Sequence, residues 1–144
     1  MKYLFFLFSG ALFFLIGCSA SQKTFPEQEI ILKKISLEKY GTTFDILYNS
    51  DKSYSVVMKR ERASVQNPNP LLEFFLYDLA SDKIVFEDAV AGGKIKWLNR
   101  EQVEVSTVPG TVSLEHTNNK FGYLYNAATE SKADINSSQQ NQNR

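Results

Sequence analysis

One cysteine, one histidine and one tryptophan stand among 144 residues, beside four prolines and seven glycines. A lone cysteine excludes an internal disulfide, so any folded part must be held by its core. One histidine and one cysteine cannot assemble the usual zinc ligands, and no metal site is expected. Charge of one sign is missing as well: 16 Lys plus Arg face 16 Asp plus Glu. Balanced charge provides no drive toward phosphate backbones, so no nucleic-acid partner is expected. Neither Gly-x-Gly-x-x-Gly nor Gly-x-x-x-x-Gly-Lys occurs, which makes Gly92-Gly93 a turn and leaves no signal for a cofactor. A long hydrophobic run is also absent. The longest, Tyr3 to Ile16, has 14 residues, against the roughly 20 that a helix needs to cross the hydrocarbon core. An uncleaved transmembrane anchor is therefore the weaker reading of the N-terminus.

Hydrophobic residues make up 43% and aromatics 13%, enough for the core of one ordinary domain. That material is unevenly placed. Met1 to Gly17 hold 5 of the 11 Phe, the single charge Lys2 and no acid, the arrangement of an export signal with a basic start and an apolar centre. The run ends in Leu15-Ile16-Gly17-Cys18, and Cys18 is the only cysteine of the chain.

This tetrad resembles the lipobox of bacterial lipoproteins: an aliphatic residue three before the cut, a small residue just before it, and cysteine just after. The resemblance covers about the first 20 residues. It implies that Cys18 receives a diacylglycerol on its thiol, that residues 1–17 are removed, and that the freed amine takes a further acyl chain such as palmitate. One acyl chain holds a membrane only marginally, whereas two or three hold firmly. The expected partner is thus a membrane, met through lipid while the polypeptide stays in water. In enterobacterial lipoproteins an Asp after the cysteine favours the inner membrane, so Ser19 implies sorting to the outer membrane of the cell envelope. Without residues 1–17 the chain carries 15 basic and 16 acidic groups, a net charge of −1.

Beyond the signal, residues 18–28 read as an acylated cysteine and a flexible tether, residues 29–128 as one domain, and residues 129–144 as a disordered polar tail. Inside the domain the apolar period is two, the signature of half-buried strands. Phe44, Ile46 and Tyr48, then Tyr54, Val56 and Met58, flank the turn residues Asn49 to Lys52, predicting a hairpin. Leu71 to Leu79 is apolar on both faces, as in a central strand covered on each side, and turns at Ala80 to Lys83 into Ile84-Val85-Phe86. Ile95 and Trp97 pair across Asn99 to Gln102 with Val103 and Val105. Pro109-Gly110 suits a type II turn before a strand near Thr111, and Phe121, Tyr123 and Tyr125 close the pattern. Glu27 to Tyr40 reads either as a helix lined by Ile31, Ile35 and Glu38 or as two strand pieces bulged at Lys33-Lys34, and the strand reading is preferred. Asn67-Pro68-Asn69-Pro70 is a breaker, read as a loop crossing between sheets. The expected fold is all-β, an antiparallel sandwich or small barrel of about eight or nine strands.

Chemistry is sparse. His116 is isolated before the Asn118-Asn119 turn, with no nucleophile elbow elsewhere, so it reads as an exposed turn residue. Asp78, Asp82, Glu87 and Asp88 cluster without the alternating ligands and glycine of a calcium loop. Asp78 and Asp82 are the working pair of the one enzymatic alternative, a small envelope hydrolase. Lys59-Arg60-Glu61-Arg62, with Lys33 and Lys34, reads as a charged strand end guarding a sheet edge, or as a contact for lipid phosphates. Tyr48, Tyr54, Tyr77, Trp97, Tyr123 and Tyr125 are the candidate binding residues, although aromatics alternating in strands more often fill the core. The expectation is a non-enzymatic binding or structural module that meets an envelope protein or a saccharide.

Overall fold

A computed structural model describes residues 23–107 and 121–135. Its elements in chain order are α1 (Phe25–Tyr40), β1 (Asp45–Tyr48), β2 (Tyr54–Arg60), β3 (Leu71–Asp78), β4 (Lys83–Ala91), β5 (Lys94–Trp97), β6 (Gln102–Ser106), β7 (Gly122–Asn126) and β8 (Ser131–Asp134). Every pairing is antiparallel and joins neighbours in sequence. β1-β2-β3-β4 form one four-stranded sheet and β5-β6-β7-β8 a second. The all-β expectation holds, as a two-sheet sandwich that carries one helix among the described residues.

Period-two side chains explain the stacking. On β3, Phe74 and Leu76 point to one face and Phe75 and Tyr77 to the other, and all four are fully buried. The first pair joins Val56, Val103, Val105, Tyr123, Tyr125 and Ala127 in a core between the two sheets. The second joins Val57, Leu79 and Leu32 in a core between the first sheet and α1. Helix, sheet and sheet therefore make three layers, with β3 central, as its unbroken apolar run requires.

The segment Glu27 to Tyr40 is helical throughout, contrary to the strand preference. Its start is chemically marked: the Thr24 backbone N–H donates to a Glu27 carboxylate oxygen at 2.9 Å, and proline stands in the first turn, where it loses no helical bond. Leu32 and Ser36 are buried against the sheet, and the Ser36 hydroxyl donates back to the Leu32 carbonyl at 2.7 Å. The folded body thus begins before residue 29, inside the expected tether. It also extends into the expected tail, because β8 pairs with β7 and Ile135 is buried.

The Asn67 to Pro70 loop joins β2 to β3 within one sheet, so it is not the crossing between sheets. That crossing falls at Gly92-Gly93, between β4 and β5. A side chain on Gly93 would run into the Val90 methyl, so the chain changes sheet where only hydrogen fits. Pro109-Gly110, the strand near Thr111, His116 and the Asn118-Asn119 turn lie outside the described residues, as does Cys18.

Candidate functional site

The two sheets are stitched together where β4 passes the end of β7. Between Leu76 and Tyr77 of β3 the β4 register slips, with Leu76 opposite Phe86 and Tyr77 opposite Ile84. Val85 is the extra residue of a bulge, and its carbonyl accepts the Tyr125 hydroxyl at 2.9 Å. Phe86 stacks on Tyr125 with ring centroids 4.1 Å apart and meets Tyr123 edge-on at 6.1 Å. Three residues beyond the bulge, Asp88 Oδ2 accepts the Tyr123 hydroxyl at 2.6 Å and the Lys132 ammonium at 3.4 Å. The same ammonium sits 3.6 Å from the Tyr123 ring centroid. Burial works against the Asp88 charge, but the Tyr123 hydroxyl, the Ala89 N–H and Lys132 outweigh it and hold the carboxyl below its ordinary range. Burial first, then Asp88, pushes the Tyr123 phenol far up. A phenol so raised stays protonated, which suits a structural clamp and not a nucleophile or base.

The six candidate aromatics are distributed over both cores and do not line one groove. Tyr77 is fully buried and its hydroxyl reaches Asp82 Oδ1 at 3.3 Å. Tyr123 and Tyr125 are buried between the sheets, with Tyr54 and Trp97 packed half-buried against the same core. The Trp97 indole N–H donates to the Leu47 carbonyl at 3.0 Å, joining β5 to β1. Tyr48 belongs to the helix-side core and meets Phe25 edge-on at 5.7 Å.

Asp78 and Asp82, the proposed working pair, shape the β3–β4 turn. Asp78 accepts the Ala80 N–H at 2.9 Å and the Ser81 hydroxyl at 2.7 Å. Asp82 holds Tyr77 and pairs with Lys23. Asp78 is thus occupied by the turn itself, and Asp82 by Tyr77 of β3 and by Lys23. Of the basic run, Arg60 donates to the Gly93 carbonyl at 2.8 Å. β1 pairs with β2 only as far as Met58, so Lys59 and Arg60 are paired on the β3 side alone and stand at an open strand end, where Arg60 also braces the crossing between sheets.

Two hollows remain. One, of about 560 Å³, opens beside the end of α1, with Lys39, Tyr40, Lys59, Glu73 and Glu87 on its walls. Lys39 pairs with Glu87 at 2.7 Å, and burial, then Glu73 and Glu87, pushes the Tyr40 phenol up to about 12. Asp88 lines this hollow too, giving three carboxylates beside two lysines, with Glu87 taken by Lys39 and Asp88 by Tyr123 and Lys132. The other, of about 520 Å³, lies at the start of α1 between Lys23, Glu27, Ile30 and Ile31. Sequence reasoning missed it because it depends on the helix; Thr24-x-x-Glu27 with Pro26 was the signal that could have shown it.

Among the described residues no group of three or more His, Cys, Asp or Glu is placed to hold a metal ion. None of their helices is long and apolar enough to cross a membrane. Compared with known proteins, the chain matches no family, no curated sequence and no solved structure.

Proposed function

We propose that this protein is a lipid-anchored lipoprotein of the bacterial cell envelope, held at the outer membrane and acting by contact as a binding or structural module. One observation carries the reading: the only cysteine of the chain stands at the end of a 14-residue apolar run, directly after Leu15-Ile16-Gly17. The architecture supports contact over catalysis, since the hydroxyls of Tyr77, Tyr123 and Tyr125 and the carboxylates of Asp78, Asp82 and Asp88 are engaged in internal bonds. What a partner can meet is the outer surface of helix and sheets, and the partner classes that fit are an envelope protein or a saccharide.

Growth with an alkyne fatty acid tests the anchor. The wild type is expected to take up the label and Cys18→Ala to lose it; equal labelling of both refutes the reading. Crosslinking in intact envelopes then tests the contact role, which fails if the protein is recovered alone.

A further inference from the structure

Helix α1 is apolar on two sides. Leu32 and Ile35 face the sheet, yet Ile30 is 68% exposed and Leu37 50% exposed. At 100° per residue, Pro26, Ile30, Lys33, Lys34, Leu37 and Gly41 fall within one outward arc about 100° wide. All six are exposed. The arc contains two lysines and no acid; Glu27 and Glu38 flank one side and Glu29 the other, where Glu29 pairs with Lys33 at 2.9 Å. This exposed face combines two aliphatic side chains with two lysines, Lys33 being shared with Glu29, and apolar contact beside positive charge is what the headgroup region of an anionic bilayer can accept.

We propose that this outward face of α1 rests on the lipid surface into which Cys18 is anchored, so that the helix and the acyl chains form one two-part attachment. The proposal rests on the lipoprotein reading above. Six residues separate Cys18 from Phe25, and an extended chain of that length spans at most about 25 Å. The helix start is thereby confined beside the membrane at a high effective concentration, where a contact too weak to dock a free protein is populated. Lysines above anionic headgroups and two aliphatic side chains below them then set the orientation, and leave the outer face of the second sheet turned away from the lipid.

The acylated protein, purified from membranes, has no free thiol once Cys18 is modified, so Ile30→Cys or Lys96→Cys each introduces a single site for an environment-sensitive fluorophore. Lys96 lies on the exposed face of β5. In vesicles of three parts phosphatidylcholine to one part phosphatidylglycerol with brominated acyl chains, the label at position 30 is expected to be quenched at least twofold more than that at position 96. Adding Leu37→Asp is expected to remove most of that difference. Equal quenching at both positions, or a response that follows protein concentration instead of lipid bromination, as contact between copies gives, overturns the proposal. The mass of the N-terminal peptide from the same sample separates the two readings. An acylated Cys18 with equal quenching ends this inference alone, whereas an unmodified Cys18 ends the anchor and this inference together.

Discussion

The hydroxyl of Tyr123 on β7 donates to Asp88 on β4 at 2.6 Å, the shortest link between the two sheets for which both partners are side chains. It spans 35 residues of chain and joins two strands at positions that are each paired within their own sheet. Lys132 closes the group from β8, so one carboxylate gathers three strands.

Tyr123→Phe removes the donor and leaves the ring. A hydrogen bond to a charged group contributes about 1.5–3 kcal/mol, and partial exposure of Asp88, 31% at its side chain, places the loss at about 1–2 kcal/mol. Urea titration is expected to show that loss with an unchanged slope; a shift below about 0.5 kcal/mol would mean the clamp is idle.

Acid has a defined sign here. The Asp88 carboxyl is lowered in the folded protein, so its contribution is present above the unfolded carboxylate value and disappears as pH falls through the folded one. Stability is expected to decline below about pH 4, and Asp88→Asn to flatten that decline. Identical acid curves for the two proteins would contradict the assignment.

Alkali acts on other groups. Burial, then Asp82 and Asp78, pushes the Tyr77 phenol up to about 12, matching Tyr40. A phenol raised by folding stabilises fully below its unfolded value, near 10, and loses that contribution as pH rises through the folded value. Absorbance at the phenolate band is expected to titrate in two groups, the later one near the unfolding transition, and to merge into one in denaturant. A single early transition in the folded protein is the contrary result.

Truncation after Glu130 deletes β8, the buried Ile135 and Lys132. Losing one buried aliphatic side chain alone costs about 2–5 kcal/mol by analogy with core truncations. Calorimetry is expected to show a melting temperature lower by at least 8 °C; an unchanged value would show that the segment does not hold.

Much of this architecture is legible in the residues. The alternation in β1, β2, β6 and β7, the two-sided apolar β3, and the turns at Asn49 to Lys52 and Ala80 to Lys83 each follow from side-chain period and turn chemistry. The helix was obscured by its own outward Ile30 and Leu37: apolar residues on both faces erase the one-sided stripe that marks an amphipathic helix and let Ile30-Leu32 and Ile35-Leu37 pass for strands. The cap at Thr24 and Glu27 carried the correct signal over a shorter span. β8 has no apolar alternation at all, because Ser131, Lys132, Ala133 and Asp134 are all exposed, and only its pairing with β7 makes it a strand. The role of Asp88 was equally hidden, since it depends on a bulge at Val85 that shifts which side chains meet β7.

The one crossing at Gly93 divides the strands into two meanders, each assembled by hairpins between consecutive strands. Among the described strands none pairs across another, so within each sheet pairing is local, and the long-range step is the stacking of one sheet on the other. Every pairing partner of the first sheet lies before residue 92, so the ribosome delivers that sheet whole before the first residue of the second.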